Sequence, residues 1–339
     1  MKISILCDSK QATQTISFGF EQVKEKIEFN IFEWHKLKLI DQKQRYRLLF
    51  DCSYLLLSRW FRPGAYKKII NLSRMRNKKV FLHLDDFLFD VPKSVGLEKW
   101  KYYHSNLMLD SLHETSTLVD GIICSTPRLS QAINDILPKL KTFTCPVYKT
   151  FTPPTRKIGA NSQRPYPVIG YMGTSSHGDD LDLICPVIDQ LMARNKLLVF
   201  ETFGIELPVI LADKYANRCV TLDKVNNYAE FQAALSSRGW WLGLAPLVEG
   251  TFNYCKANTK LLEYIQAGIP VLASDFGPYQ DTPWAASSKP SVDGTEWTEK
   301  VEAILYSKSL RTNVYEQQLR YCQNLKTADS LVQFYRELH

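Results

Sequence analysis

The chain has 339 residues, 45% of them hydrophobic and 23% charged, and its formal net charge is +7. This is the composition of a globular protein, and the length is enough for two domains with separate hydrophobic cores. No apolar run is long enough to span a membrane, and the opening residues indicate a buried strand and not a secretory signal, so we expect a cytoplasmic protein.

The eight cysteines are scattered along the chain, without a CxxC pair or a metal-like spacing with histidine. Most of them lie in apolar segments, which favours reduced, buried thiols and no metal site. Cys255 stands beside a polar motif and is the cysteine that we expect to be accessible to a ligand.

The first half of the chain alternates between apolar segments of strand length and helix-like segments. We predict strands at 2–8, 26–34, 52–58, 79–84, 121–126 and 141–147, and helices at 65–77, 101–118 and 127–137. This alternation is typical of a parallel sheet wrapped by helices, so we predict a Rossmann-like domain at 1–150. The loop after the first strand, with Ser9 and Lys10, lacks a glycine cluster and is of lesser interest.

Two adjacent aspartates follow the predicted strand at 79–84. Parallel sheets bind ligands beyond the carboxyl ends of their strands, so Asp85 is a candidate catalytic residue that would hold an acceptor hydroxyl or take its proton. Asp86 would cap the next turn. His83 shares the strand face of Asp85, but a histidine there is more often a satisfied core residue. The two carboxylates are not spaced as a metal signature requires.

Basic residues are concentrated in three segments of the first quarter, 34–47, 59–68 and 73–79. These segments are either solvated helix faces or a surface for an anionic partner. No nucleic-acid-binding motif accompanies them, so we expect no nucleic acid and favour an anionic membrane surface, with Trp60 and Phe61 as interfacial aromatics. This hypothesis predicts peripheral attachment to the inner face of the membrane.

Apolar periodicity disappears at 151–166, where Pro, Thr, Ser and Arg dominate, and we predict an interdomain linker there. A second Rossmann-like domain is predicted at 167–310, followed by C-terminal helices at 311–339 that pack back on the first domain. The predicted fold is α/β, with two doubly wound domains facing each other across a cleft. In this second half of the chain, strands are predicted at 168–173, 197–204, 219–223, 240–247 and 269–274, and helices at 181–195, 227–238, 292–310 and 314–338.

The segment VIGYMGTSSHGDDLDLI, at 168–184, takes a predicted strand into an acidic helix start. Small residues let a phosphate or sugar approach the backbone, and free N–H groups can hold an anion, so Gly173 and Thr174 are candidate donor-binding residues. The alternative is a plain N-cap. His177 is the second candidate catalytic residue, because it lies where the strand gives way to the helix, within reach of the cleft.

The segment KANTKLLEYIQAG predicts a short helix with Asn258 as N-cap and Gly268 as its left-handed stop. Lys260 and Glu263 share one helical face, and Lys256 precedes the helix. Lysines beside a helix N-terminus can neutralise a diphosphate, and a carboxylate one turn further can accept hydrogen bonds from a ribose diol. The alternative is a surface Lys–Glu pair on an ordinary amphipathic helix.

Residues 243–279 resemble the donor-site region of GT-B glycosyltransferases, close to glycosyltransferase family 4. The shared pattern is a loop with Phe252 and Asn253, a Lys-x-x-Glu-Tyr helix and a Gly-x-Pro-Val-x-Ala-Ser strand. Segments 80–89 and 119–129 are similar to the Asp-Asp and Ser-Thr-Pro segments of bacterial polysaccharide glycosyltransferases. The segment at 169–184 is similar to the glycine-rich start of their C-terminal domain.

The resemblance implies that the C-terminal domain binds the donor. Glu263 would contact the nucleotide ribose, Lys256 and Lys260 would lie near the diphosphate, and the 173–177 loop would lie close to it, with Asn253 in the same site. Many family 4 enzymes carry a further glutamate at the position that Cys255 occupies here. The usual contact to the donor sugar must therefore come from elsewhere or be absent.

From these residues and this resemblance we expect a glycosyltransferase. It would move a sugar from a nucleotide-diphosphate donor to a glycan or lipid-linked saccharide in surface polysaccharide synthesis. Transfer is expected to retain the anomeric configuration without a metal or cofactor, the nucleotide-sugar being a substrate. The alternatives are a nucleotide-sugar epimerase, using His177 with Asp179 or Asp180, and a non-catalytic glycan-binding relative.

Overall fold

The computed structural model describes residues 1–8, 20, 23, 25–145, 151, 164–280, 282–287, 294–325 and 328–338, without the side chains of 328–330. Ser9 and Lys10 lie outside the described residues. Most of the predicted linker, from 152 to 163, also lies outside them.

The first half of the chain forms a six-stranded sheet with the order β2-β1-β3-β4-β5-β6, and all its strand pairs are parallel. Its central strands are almost entirely buried because apolar layers cover both faces of the sheet. The strands are β1 (Lys2–Cys7), β2 (Glu28–Glu33), β3 (Tyr54–Ser58), β4 (Lys79–Leu84), β5 (Gly121–Cys124) and β6 (Thr142–Thr144).

The described helices between these strands pack on one face of the sheet, in the apolar layer that contains Leu55 and Leu57. The helix predicted at 101–118 is two helices, because Ser105 has an extended backbone (φ −66°, ψ 136°) that interrupts the hydrogen-bonded turns. The helices are α1 (Trp34–Leu37), α2 (Gln42–Leu49), α3 (Tyr66–Arg74), α4 (Leu97–His104), α5 (Asn106–Leu118) and α6 (Pro127–Ile136).

The second half forms another parallel six-stranded sheet with the order β12-β11-β10-β7-β8-β9. Counted from β7, this is the strand order 3-2-1-4-5-6 of a Rossmann fold, which has its ligand crevice where the order reverses, between β7 and β10. The strands are β7 (Val168–Met172), β8 (Val199–Phe203), β9 (Cys219–Leu222), β10 (Leu242–Ala245), β11 (Val271–Ser274) and β12 (Ala285–Ala286).

The structure confirms the predicted α/β fold and every strand predicted in both halves, and it adds the two-residue β12. The segment predicted as one helix at 314–338 belongs to two, which are separated after Gln323. The helices of this half are α7 (Gly178–Arg194), α8 (Val209–Lys214), α9 (Tyr228–Ser237), α10 (Thr251–Tyr254), α11 (Thr259–Gln266), α12 (Thr295–Tyr306), α13 (Lys308–Gln323) and α14 (Ala328–Glu337).

Each sheet separates two apolar layers, because successive side chains of a strand point to opposite faces. Along β3, Tyr54 and Leu56 enter one layer and Leu55 and Leu57 the other. The helix α14, at the end of the chain, packs against the first sheet and not the second. It contributes Leu331, Val332, Tyr335 and Leu338 to the layer that contains Ile3 and Ile5.

Two expectations about exposure are wrong. Trp60 and Phe61 are 0% and 2% exposed, so neither can act as an interfacial aromatic. Cys255 is 0% exposed, because the first half covers it: its backbone carbonyl accepts a 2.8 Å hydrogen bond from Thr126 Oγ1. Across the described residues, no helix is both long enough and apolar enough to cross a membrane.

Candidate functional site

A cavity of about 1010 Å³ lies between the two sheets and is lined by both halves of the chain. Asp8, Arg59 and Asp85 line it from the loops that follow β1, β3 and β4. Gly173 and Gly204 line it from the loops after β7 and β8. The cavity therefore occupies the place where parallel sheets bind ligands, beyond the carboxyl ends of their strands.

The loop after β7 approaches the loop after β8 at backbone distance. Gly173 N donates a 3.0 Å hydrogen bond to Phe203 O. A Cβ on Gly173 would lie 3.3 Å from His177 Cβ, and a Cβ on Gly204, whose φ is +78°, would lie 2.7 Å from Gly173 O. Gly204 is therefore needed for this close approach, and a Cβ on Gly173 would be tightly packed. The loop keeps Gly173 and Thr174 on the cavity wall. Nothing in the sequence identified Gly204 as a candidate site residue.

His177 lies on the cavity wall and is held by a carboxylate beneath it. Its Nδ1 is 2.9 Å from Asp180 Oδ2, and Asp180 Oδ1 accepts a 2.9 Å hydrogen bond from Val248 N. Burial, together with the positive charge of Lys260, lowers the pKa of His177 to about 4. The imidazole is therefore neutral at pH 7. Because an ionised carboxylate can only accept, Nδ1–H donates to Asp180 and Nε2 is left as an acceptor.

Two lysines line the cavity next to His177. Lys260, on the first turn of α11, has its Nζ 3.3 Å from Tyr171 OH and 4.4 Å from the centroid of that ring. Burial lowers its pKa to about 8. Lys256, just before α11, has its Nζ 5.2 Å from the Phe252 ring centroid. The two ammonium groups make this part of the wall cationic, as an anion site requires.

The helix α11 has the ends that were predicted, but its N-cap works differently. Asn258 occupies the N-cap position without a side-chain hydrogen bond to the helix, and its Oδ1 has no partner among the described residues. Gly268 has the predicted left-handed conformation (φ +79°), and Ile269 N then donates to Tyr264 O. The first-turn N–H groups of α11 are therefore not capped by the Asn258 side chain.

Glu263 lines the cavity from the same helix, one turn beyond Lys260. It lies next to Tyr228 of α9, whose pKa is raised by burial and by the Glu263 charge. Lys224, Val225 and Phe231 complete this end of the cavity. Tyr228 was not predicted, because nothing in the sequence brings α9 beside α11.

Asp85 lies on the opposite wall, where an arginine binds both aspartates. Arg59 Nη1 is 3.1 Å from Asp85 Oδ1 and 3.2 Å from Asp86 Oδ2. The Asp86 side chain therefore pairs with Arg59 and does not cap the next turn as predicted. Burial and the neighbouring Asp85 charge raise the pKa of Asp86, against the attraction of Arg59. His83 is a core residue, 0% exposed, with Nδ1 3.3 Å from Ser58 Oγ.

Asn253 is not part of the cavity wall. Its amide Nδ2 donates a 2.8 Å hydrogen bond to Val248 O, which fixes the loop between β10 and α10. Val248 N is the group that Asp180 binds, so Asn253 contributes to the loop that anchors His177. No cluster of three or more His, Cys, Asp or Glu side chains that could hold a metal ion occurs within the described ranges.

This chain is similar to known proteins in structure and not in sequence. No model of a known protein family matches the sequence, and no curated protein matches it. TarM of S. aureus has a TM-score of 0.61 and 12% identity, over 84% of this chain and 54% of TarM, so this chain spans about half the length of TarM.

Two other solved structures match over the whole chain. The UDP-forming α,α-trehalose-phosphate synthase of Burkholderia xenovorans has a TM-score of 0.65 and 10% identity, over 100% of both chains. An α-glucosyltransferase in complex with UDP has a TM-score of 0.61 and 12% identity, over 100% of this chain and 99% of the other. The chain therefore has the fold of these transferases, the GT-B fold, in which two Rossmann-like domains face each other across a cleft.

Proposed function

We propose that this protein is a glycosyltransferase that moves a sugar from a nucleotide-diphosphate donor to a saccharide acceptor in surface polysaccharide synthesis. The observation that carries the proposal is the two-sided cavity, with Lys256, Lys260 and Glu263 on one wall and the Arg59–Asp85 pair on the other. Structural neighbours include a TarM structure with UDP and an α-glucosyltransferase with UDP, which supports a nucleotide-sugar donor.

The cationic wall suits the donor diphosphate. Lys256 and Lys260 offer two ammonium groups, and the first turn of α11 adds N–H groups that the Asn258 side chain does not cap. These groups would stabilise the negative charge that develops on the leaving diphosphate. In our proposal they take the place of a metal ion. The loop with Gly173 and Thr174 lets the phosphates approach the backbone.

The remaining parts of the donor would extend to either side of the diphosphate. Glu263 would accept hydrogen bonds from the ribose diol, with the base near Val225 and Phe231. The neutral imidazole of His177 would accept a hydrogen bond from a donor-sugar hydroxyl through Nε2. With a pKa of about 4 it holds too little proton at pH 7 to act as a general acid, so we assign it to orienting the sugar.

Asp85 would receive the acceptor hydroxyl, since it faces the donor wall from the other half of the chain. We propose retention of the anomeric configuration, through an oxocarbenium-like state. An epimerase would need an acid and a base in the second half, and the pair available there is His177 with Asp179 or Asp180. Asp180 is already engaged by His177 and by Val248 N, which favours the transferase.

A nucleotide-sugar screen followed by two substitutions tests the donor site. A thermal-shift screen of nucleotide sugars identifies the donor, because a ligand that binds the folded state raises its stability. Lys260→Ala should then lower turnover by about 100-fold, the scale of losing one charge-stabilising contact in a transition state. Glu263→Ala removes the contact to the ribose and should lower turnover at donor concentrations below saturation, because donor binding is weakened. Lys196→Ala and Glu299→Ala, at exposed positions outside the cavity, are the matched controls.

Near-normal turnover in both cavity variants would contradict the donor-site assignment. An isomerised nucleotide-sugar formed without an acceptor would support the epimerase instead. Binding of a glycan without nucleotide release from any donor would support a non-catalytic relative.

We also propose that the protein works at the cytoplasmic face of an anionic membrane, on a lipid-linked acceptor. The basic face that supports this consists of α2, α3 and the turn after α3. Arg76 lies 4.9 Å from the Phe50 ring and Lys68 lies 5.8 Å from the Tyr46 ring, so the basic segments converge. Met75, in the same turn, is 78% exposed and offers an apolar side chain beside the cations. The cations of this face are Lys43, Arg47, Lys68, Arg76 and Lys78.

Vesicle sedimentation tests the basic face. Each cation near an anionic surface contributes about 1 kcal/mol, so Arg47→Glu combined with Arg76→Glu should reduce binding to phosphatidylserine-containing vesicles by at least about tenfold. Lys196→Glu combined with Lys308→Glu, two exposed positions outside this face, is the control for the same change in net charge. Met75→Ser should weaken vesicle binding without changing heparin binding, and equal loss of both would point to a soluble polyanion. Vesicle binding that changes neither with salt concentration nor with the double substitution would contradict the proposal.

A further inference from the structure

Arg59 combines three features that the donor site does not explain. It directly follows β3, and its φ is +48°, a left-handed backbone conformation that residues other than glycine rarely adopt. Its backbone N–H donates a 2.9 Å hydrogen bond to His83 O on the neighbouring strand β4. Strain of this kind persists where the surrounding structure fixes the residue, and it is concentrated at functional sites.

The conformation of Arg59 brings its guanidinium to the two carboxylates at the end of β4. Nη1 is 3.1 Å from Asp85 Oδ1, 3.4 Å from Asp85 Oδ2 and 3.2 Å from Asp86 Oδ2. All three side chains line the cavity, and between 13% and 26% of each is exposed. The Asp85 backbone is held as well, because Ser125 Oγ donates a 3.0 Å hydrogen bond to its carbonyl.

Adjacent carboxylates in a partly buried site repel each other, and one of them then tends to keep a proton. A guanidinium that contacts both favours the ionised form of both. The other titratable groups that face the pair are His83 and Tyr103 from the same half, Lys99 from α4, and Cys255 and Lys256 from across the cleft. Arg59 is the member of this set that forms ion pairs with both aspartates at 3.1 and 3.2 Å.

We propose that Arg59 is a positioning residue, which holds Asp85 and Asp86 as an ionised pair and orients Asp85 toward the acceptor hydroxyl. The part of this proposal that concerns the acceptor hydroxyl rests on the glycosyl transfer proposed above. The ion-pair geometry and its effect on the titration of the two aspartates are independent of that function. Arg59 itself is not expected to contact the donor, because Lys256 and Lys260 occupy the opposite wall.

Carboxyl-carbon NMR titration of the full-length protein tests this role without a substrate. Arg59→Gly removes the guanidinium and still accepts the left-handed backbone, so a change in titration reports the lost side chain and not a displaced backbone. We expect the higher apparent pKa of the Asp85–Asp86 pair to rise by about one pH unit or more in Arg59→Gly, the usual effect of losing an opposite charge within about 4–6 Å. Arg59→Lys keeps a cation and should titrate closer to the unsubstituted protein.

Arg62→Ala is the matched control, an arginine of the same cavity that pairs with Asp8 at 2.7 Å and not with this pair. It should leave the titration of Asp85 and Asp86 unchanged. Identical titration in Arg59→Gly and the unsubstituted protein would overturn the proposal, as would Arg59→Lys titrating like Arg59→Gly.

UDP binding by calorimetry is the second readout. Arg59→Gly should change the UDP dissociation constant by less than about twofold, whereas Lys260→Ala should weaken UDP binding strongly. Loss of UDP affinity in Arg59→Gly comparable to that in Lys260→Ala would make Arg59 a donor contact and overturn the positioning role. If neither the unsubstituted protein nor any variant binds a nucleotide, the proposed function fails. The titration result then still decides the role of Arg59 in the ion pair.

Discussion

Lys260 places a cation against an aromatic ring in a partly buried part of the cavity wall, with its Nζ 4.4 Å from the Tyr171 ring centroid. Burial lowers its pKa to about 8, while the attraction of Asp180 opposes the shift and the repulsion of Lys256 adds to it. An ammonium group that is buried before a ligand arrives has lost part of its hydration already. A diphosphate would restore a favourable environment for the charged form, so ligand binding and protonation of Lys260 should be coupled.

We predict that UDP binds less tightly as the pH rises above about 8. Below this pH Lys260 is already protonated in the free protein, and above it each bound UDP must be accompanied by uptake of a proton, so the affinity should fall by up to about tenfold per pH unit. Lys260→Arg keeps its charge and should remove this dependence. Calorimetric titrations between pH 7 and 9.5 measure it, with Lys196→Ala as the control. A flat profile in the unsubstituted protein would contradict the assignment of Lys260 to the diphosphate.

The sequence locates a site residue when its place in an element decides its direction. Asp85 follows a buried strand, and Glu263 and Lys260 share one face of a short helix, so each could be predicted to face the cleft. Asn253 could not, because the direction of its side chain depends on the Val248 carbonyl in a loop. Arg59 was missed because its left-handed backbone is set by the neighbouring strand and leaves no mark in the local sequence.

At the scale of elements, a buried carboxylate joins β8 to the start of β10. Glu201, on β8, is 1% exposed and accepts hydrogen bonds from Trp240 Nε1 at 2.7 Å and from Arg164 Nη1 at 2.6 Å. Arg238 completes the set with three further contacts of 3.0 to 3.1 Å. The chain enters the second sheet next to Arg164, so this cluster fixes the point where β7 begins.

We predict that Glu201→Gln lowers the free energy of unfolding by about 3–5 kcal/mol. The substitution leaves two arginines beside a neutral amide, and removing one partner of a buried ion pair leaves the other charge uncompensated. Urea unfolding followed by circular dichroism measures the loss. Glu230→Gln, at an exposed position of α9, is the control and should stay within about 0.5 kcal/mol of the unsubstituted protein. Equal midpoints for the two variants would show that the cluster does not stabilise the fold.

Strands were the elements that the sequence predicted best, for a physical reason. A parallel strand buried on both faces is an uninterrupted apolar run, such as YLLLS in β3, and needs no partner to be recognised. β12 has two residues and therefore no pattern to detect. The division between α4 and α5 was missed because Ser105 is compatible with a helix, and nothing in the local sequence marks its extended conformation.

At the scale of the whole molecule, the two halves are tied together at two places, at α10 and at the last helix. α10 places Phe252 and Cys255 in an apolar layer of the first sheet, and Thr126 Oγ1 binds the Cys255 carbonyl. The last helix, α14, crosses back to the first sheet and covers its other face. The layer that contains Ile3 is therefore completed by residues more than 300 positions away in sequence, which couples the folding of the first half to the end of the chain.

We predict that Tyr335→Ala destabilises the first half of the chain more than the second. The Tyr335 ring is 1% exposed and lies 5.4 Å from the Phe20 ring and 5.9 Å from the Phe29 ring, so truncation leaves a cavity and should lower the free energy of unfolding by about 3–5 kcal/mol. Amide hydrogen exchange followed by mass spectrometry locates the effect. Exchange should accelerate in β1 and β3, which lie beneath α14, before it accelerates in β7 and β10.

Tyr306→Ala removes a tyrosine that is 62% exposed on α12, so it tests whether the loss of any aromatic ring near the C-terminus would have the same effect. It should leave both the unfolding midpoint and the exchange of β1 and β3 close to those of the unsubstituted protein. Equal acceleration of exchange in both sheets of Tyr335→Ala would mean that the halves unfold as one unit, because the contacts at α10 then transmit the loss across the cleft. Unchanged exchange in β1 and β3 would mean that the first sheet is stable without α14, and its folding would not depend on the end of the chain.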